Sequence, residues 1–314
     1  MKKILLSCFF LLIILFSLFY PTEAILASKN AMLIWSGQIL PTLLPFSILS
    51  AVLLQSNFFG SNLKYQNQFA IGTILLCGFM FGFPIGSKLA SDFYKKEMLI
   101  KRQAHILAIC ANNFSPMYVC GFVLPTLFPN TDYKTLTYLL LYLFPLILGA
   151  FLLMLPSKRT NPTTILPISS QKETTDSDSY LTHKKTASRF QLDMQIIDAG
   201  IISSFETLIK LCGYIVMFSL LSTIFQTLFQ KPHLLTQLLI GNMEITNGIA
   251  LFCDYAIDTN ITYLCSIQML SLGGISGFAQ TASILHSSGL SIKRYVLGKC
   301  ILSLATTLLA VLLL

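Results

Sequence analysis

GFPIGSKLA, residues 82–90, lies inside the apolar segment that runs from Phe69 to Met98. Gly82 and Gly86 disfavour helix through their backbone entropy, and Pro84 removes a backbone donor and clashes with the preceding turn. The segment therefore breaks. In hydrocarbon, each backbone group left unpaired by such a break costs roughly several kcal/mol, so irregular backbone persists only when it is buried in protein or lines a wet cavity. This stretch predicts a re-entrant helical hairpin turning at Gly82 to Gly86.

The rest of the chain supports that setting. Of its 314 residues, 54% are hydrophobic and only 11% charged, a balance that marks an integral membrane protein rather than a soluble domain. The net charge of +8 raises the question of nucleic acid, but the lysines and arginines sit in clusters between apolar runs. That is the pattern of positive-inside topology, not of a basic binding face. The eight cysteines fall in or beside apolar segments without paired spacing and read as small buried hydrophobes. His105, His183, His233 and His286 have no metal-ligand spacing, and neither a metal nor a cofactor is expected. With no Walker-type loop, no H-E-x-x-H and no G-x-S-x-G, the chain is not expected to be an enzyme.

Lys2 and Lys3 followed by Ile4 to Phe19 resemble a secretory signal with Ala24 as a cleavage point. A retained short first helix is the preferred reading, because many spans follow. Four regions are expected. Residues 1–37 form the N-terminal helix and an amphipathic stretch, residues 38–155 a first repeat, residues 156–195 a polar linker rich in Ser, Thr and charge, and residues 196–314 a second repeat.

The repeat emerges at an offset of about 163 residues. Pro41 to Gln55 lies against Ser204 to Phe218, Gly78 to Gly86 against Gly241 to Gly248, and Asn112 to Pro116 against Ile275 to Ala279, just after Gly273 and Gly274. Each half reads as helix, interrupted hairpin, interrupted span, helix. If Phe69 to Met98 crossed the membrane, Lys95, Lys96, Lys101 and Arg102 would fall outside, against the usual bias. A hairpin entering from the cytoplasm removes the conflict. The second hairpin, Leu234 to Asp258, then opens on the opposite face, and the last span returns Lys293, Arg294 and Lys299 to the cytoplasm. The halves are thus expected to be inverted, with the N-terminus and linker cytoplasmic. The fold class is an all-α polytopic membrane protein whose two repeats each carry a re-entrant hairpin and a broken span, meeting near the midplane as a binding site.

Within that site, Lys88 follows Ser87 where a half-helix begins, so its charge and the helix N-terminus both suit an anion. The alternative is a lysine that snorkels toward the cluster at Lys95. Glu244, Thr246 and Asn247 occupy the matching turn. An ionisable group at membrane depth is functional by default, against the plainer role of a helix cap, which would still leave Glu244 beside the pocket. Glu206 and Lys210 are spaced to neutralise each other on one helix face. Asn112, Asn113 and Ser115 interrupt one span; Gly273, Gly274, Ser276 and Gln280 interrupt the other. Their amides and hydroxyls can hold carboxylates, ribose or base edges, whereas the glycines serve equally well in close helix packing.

WSGQILPTLLPF (residues 35–46), GFMFGFPIGSKLA (78–90) and NNFSPMYVCG (112–121), followed by GNMEITNGIALF (241–252) and SLGGISGFAQTASIL (271–285), resemble the YlbJ group of sporulation membrane proteins. More broadly they resemble proteins with a nucleoside-recognition, or Gate, domain. The resemblance covers nearly the whole chain from about Ala24. It implies a secondary or facilitated transporter in a bacterial cytoplasmic or forespore membrane, with dipicolinate or a related small anion as leading cargo. Lys88 and the half-helix N-termini would hold carboxylates, Asn112, Asn113, Ser115 and Gln280 would orient them, and Glu244 would take part in coupling or gating. A nucleoside carrier and a non-transporting scaffold or channel subunit are the alternatives. The implied partners are a small-molecule substrate, the lipid bilayer and, for a coupled carrier, a cation; no nucleic acid is implied, and the oligomeric state is left open.

Overall fold

A computed structural model describes residues 2–56, 66–156, 193–229, 233–254 and 258–314. The linker expected at 156–195 falls almost wholly outside the described residues. Among the described residues the only regular secondary structure is helix, with five helices long and apolar enough to cross a membrane: Pro21–Val52, Lys134–Met154, Met194–Leu228, Thr259–His286 and Ile292–Leu313. It is an all-α polytopic membrane protein.

Helix α1 (Lys2–Phe19) turns at Tyr20 into α2 (Pro21–Ile34). The sequence separates an amphipathic stretch at Ile25 to Ile34 from the span that follows, but the structure has one continuous rod: α2 passes through a π-helical turn, Trp35–Ile39, into α3 (Leu40–Gln55). The reason is tertiary. Ala24, Ala27 and Ala31 are small enough to lay α2 directly on the long helix α11 (Met194–Leu228), and Trp35 Nε1 donates to the Leu208 carbonyl at 3.0 Å. Leu43 of α3 joins Leu208, Leu211 and Ile215 in the same seam, so the two helices that match at the repeat offset pack on each other.

Two hairpins follow the predicted pattern. In the first half α4 (Gln66–Phe81) and α5 (Ile85–Lys95) flank a turn; in the second, α12 (Leu234–Met243) and α13 (Ile245–Asp254) flank Glu244. Both cross at paired glycines. A Cβ on Gly248 would stand 2.5 Å from the Gly241 Cα, and one on Gly78 would stand 3.2 Å from the Gly86 Cα.

Two spans are broken as expected. One passes from α6 (Lys101–Cys110) through 111–115 into α7 (Pro116–Tyr118), a π-helical turn Val119–Val123, and α8 (Leu124–Leu127). The other is α14 (Thr259–Leu272) and α15 (Gly274–His286), parted at Gly273, whose φ of 88° ends the first piece. The remaining elements are α9 (Lys134–Tyr138), a π-helical turn Leu139–Leu143, α10 (Phe144–Met154) and the closing α16 (Ile292–Leu313).

The surface reads inside out. On α16, Leu297, Ile301, Leu304 and Leu308 point outward at helical spacing, while Lys299, Ser303 and Thr306 are buried. Cys8 of α1 and Cys300 of α16 are both exposed, which corrects the reading of every cysteine as buried; Cys110 and Cys265 are in the interior. That distribution fits a hydrocarbon surround, where apolar side chains gain nothing by turning inward and polar groups must find each other.

Candidate functional site

The breaks are held open by specific hydrogen bonds. At the first broken span, Asn113 Nδ2 donates to the Cys110 carbonyl (2.8 Å), Tyr142 OH to the Phe114 carbonyl (2.9 Å), and Lys299 Nζ to both the Asn112 carbonyl and Asn113 Oδ1 (3.0 Å each). Carbonyls freed at the end of α6 thus regain partners, and a lysine stands at the negative end of that helix dipole. Lys299 is fully buried on α16, seven residues into the helix, where the sequence places it at the cytoplasmic edge. A lysine long enough to reach a neighbouring break is indistinguishable by position from one that snorkels to water.

Asn112 is a structural hub. Its Oδ1 accepts from the Ser87 backbone N–H (3.3 Å), and its Nδ2 donates to Tyr295 OH (2.9 Å) and Thr281 Oγ1 (3.4 Å). The start of α5 is therefore occupied by a protein side chain. The start of α13 is occupied likewise: the buried Glu244 carboxylate accepts from the Asn247 backbone N–H (3.0 Å) and from Thr246 Oγ1. Both half-helix N-termini expected to receive substrate carboxylates are filled from within, which corrects that part of the sequence reading. Glu244 is the helix cap the plainer reading describes, and it also faces a cavity.

That cavity is where the breaks converge. It holds about 60 Å³ and is lined by Phe83 of the first hairpin turn, Phe114, Ser115 and Tyr118 of the first broken span, Glu244, Ile245 and Thr246 of the second hairpin turn, and Gly273, Gly274, Ser276, Gly277 and Gln280 of the second broken span. Ile39 of the π-helical turn before α3, Thr42 and Leu43 of α3, and Leu211 and Ile215 of α11 complete it. The first turn reaches it because Gly82, at φ 76°, lets the backbone pass Ser115 so closely that a Cβ would stand 2.4 Å from the Ser115 nitrogen. Phe83, Phe114 and Tyr118 form a wall of near-parallel rings, with centroids 6.1 and 5.3 Å apart. Tyr118 OH and Gln280 Oε1 are buried with no hydrogen-bond partner among the described residues. Each such atom costs about 1–3 kcal/mol unless something pairs with it. The volume admits a few waters as the chain stands.

Of the residues singled out in the sequence, Ser115, Glu244, Thr246, Gly273, Gly274, Ser276 and Gln280 line the cavity. Gly82, Gly86, Ser87, Asn112 and Asn113 lie behind it: Gly86 sits against the Ala111 carbonyl, Ser87 Oγ donates to the Pro84 carbonyl (2.9 Å), the Asn113 amide is spent on the first break and that of Asn112 on the start of α5, Tyr295 and Thr281, while Pro84 lines an adjoining cleft. Lys88 occupies an adjoining cleft of about 250 Å³ with Asp92, Thr207, Lys210 and Tyr214; its Nζ donates to Thr207 Oγ1 at 3.4 Å. Gln280 and Leu211 line both spaces. Asn247 turns away to a third space of about 240 Å³ beside Glu23, Asn30, Thr223 and Gln226. The aromatic wall and Lys299 are absent from the sequence-derived set. Phe83 and Phe114 sit inside the very motifs that mark the breaks, and that adjacency is the signal by which they could be found.

No family model matches the chain, and no solved structure matches it. It is similar to the sporulation integral membrane protein YlbJ of Bacillus subtilis (strain 168), with 26% identity over 329 aligned positions that cover 95% of this chain and 79% of that relative. The YlbJ-like resemblance carried by the sequence motifs therefore extends across the chain, and its membrane character agrees with the fold.

Proposed function

We propose that this protein is a secondary or facilitated transporter that carries a small polar solute through the cavity where its four backbone breaks meet. The observation that carries the reading is that convergence: two hairpin turns and two interrupted spans contribute to one space lined by Glu244, Tyr118, Ser115, Ser276 and Gln280. Polar and ionisable groups at membrane depth are costly and serve pathways and binding. By the resemblance, the fold is of the Gate type, with inverted halves, a cytoplasmic N-terminus and linker, and a place in the cytoplasmic or forespore membrane.

Dipicolinate, or a related small anion, is the leading cargo. The rings of Phe83, Phe114 and Tyr118 suit a planar aromatic solute. For a dianion, two lysines stand beside the cavity: Lys299, whose Cε lies 3.9 Å from where a Cβ on the cavity-lining Gly273 would stand, and the half-buried Lys88 of the adjoining cleft, next to the Gln280 that both spaces share. A nucleoside is the second reading, favoured by one observation: the ionisable side chains lining the cavity are Glu244 and Tyr118, with no lysine or arginine among them. A carboxylate there accepts from hydroxyl and amine donors and repels an anion.

Uptake of labelled dipicolinate and labelled uridine into proteoliposomes separates these. Saturable uptake of one solute, abolished in Glu244→Gln, is expected. Loss of that uptake in Lys88→Ala assigns the anion, and uptake indifferent to Lys88 assigns the nucleoside. If neither solute enters and neither raises the melting temperature, transport is the wrong reading and a scaffold or channel-subunit role takes its place.

A further inference from the structure

We infer that α11 walls a continuous solute path along a stripe of residues that winds around the helix, running from the Lys88 cleft through the central cavity to the Asn247 cleft, with Gln280 and Asn247 at its two constrictions. The inference rests on the transport reading of the central cavity and adds to it a second mouth and two gating residues.

The three spaces are met in order along the helix. Thr207, Lys210, Leu211 and Tyr214 line the first cleft, Leu211 and Ile215 the cavity, and Thr223 and Gln226 the far cleft. The rise from Thr207 to Gln226 is about 28 Å at the helical repeat. That equals the hydrocarbon thickness of a bilayer, roughly 30 Å, so clefts at these two levels open toward opposite membrane faces.

The partitions between the spaces are thin. Gln280 stands in both the first cleft and the cavity, with its Oε1 buried and unpartnered among the described residues. On the other side, Thr246 lines the cavity while its neighbour Asn247 lines the far cleft. Asn247 closes the gap with a long hydrogen bond from Nδ2 to the Ser219 carbonyl, 3.4 Å. Ser219 is fully buried, and its hydroxyl likewise has no partner among the described residues. Gln280, Tyr118 and Ser219 thus place unpaired polar atoms at successive stations, an arrangement that costs stability unless water or solute visits them. At the level of the Lys88 cleft the opposite side of α11 is different in kind: Ile202 and Ile209 are each 60% exposed and apolar, as a lipid-facing surface requires.

Single cysteines at Thr207, Ile215, Ser219 and Thr223, with Ile209→Cys as the lipid-side control, test this in proteoliposomes. The probe is a membrane-impermeant charged methanethiosulfonate reagent added from either side, read site by site by peptide mass spectrometry so that native cysteines do not interfere. Thr207→Cys and Thr223→Cys are expected to label from opposite sides, about tenfold faster than Ile209→Cys, because water is excluded from the lipid face. Adding Asn247→Ala is expected to speed labelling of Ser219→Cys from the Thr223 side. Equal rates on both faces of α11, or labelling of Thr207→Cys and Thr223→Cys from one side only, overturns the path. If a variant does not fold, hydroxyl-radical footprinting of the unmodified protein replaces it: Leu211, Tyr214 and Ile215 are expected to oxidise more than Ile202 and Ile209, and the reverse order overturns the proposal. Solute-induced stabilisation that persists when labelling fails leaves the transport reading standing and removes only the path.

Discussion

Lys299 donates to the Asn112 carbonyl and to the Asn113 side chain from the interior of α16. Replacing it by Met keeps much of the alkyl packing but leaves two buried acceptors without donors. That change is expected to cost about 1–3 kcal/mol for each acceptor that water does not reach, seen as a melting temperature several degrees lower. Glu244 separates charge from capping. Glu244→Gln retains an acceptor for the Asn247 N–H and is expected to leave melting nearly unchanged while uptake is lost; Glu244→Ala also removes the cap, at about 1 kcal/mol. Equal melting curves for Gln and Ala variants would show that the carboxylate does not cap α13 in solution.

At the scale of elements, the hairpins depend on how closely their arms approach. Gly248→Ala drives a methyl to within 2.5 Å of the Gly241 backbone, which cannot yield as a flexible side chain would. Separation of α12 from α13 is expected to cost about 1–3 kcal/mol, as overpacking does. Gly82→Ala is expected to be at least as damaging, since it adds strain at positive φ to a 2.4 Å clash with Ser115. Gly72→Ala provides the contrast. Nothing lies within 4 Å of its Cβ and it sits within α4, so that variant is expected to gain about 0.5–1 kcal/mol of helix stability, measured by the same thermal melts.

For the molecule as a whole, the narrow central cavity means that a bound solute must either fit a small space or hold the surrounding elements apart. Either way a true ligand stabilises the folded form: at about one hundred times its dissociation constant the gain is about 2.7 kcal/mol. A thermal-shift series with dicarboxylates and nucleosides is expected to show that gain for one class and to lose it in Glu244→Gln. The membrane setting, the helical class, both hairpins and both broken spans were legible in the chain, because hydrocarbon forbids unpaired backbone and so leaves glycine, proline and asparagine as visible punctuation in apolar runs. Seven of the seventeen residues that line the cavity were legible on the same ground, since Ser115, Glu244, Gly273 and Gln280 lie at the punctuation itself. The roles of Asn112, Asn113, Lys88 and Lys299 were not. Composition determined that this polypeptide lives in a bilayer, and the placement of glycine, proline and asparagine determined where its hairpins and broken spans are interrupted; only the tertiary structure decided which polar groups spend their hydrogen bonds on one another and which remain facing a cavity, because that choice depends on distances between segments more than one hundred residues apart in the chain.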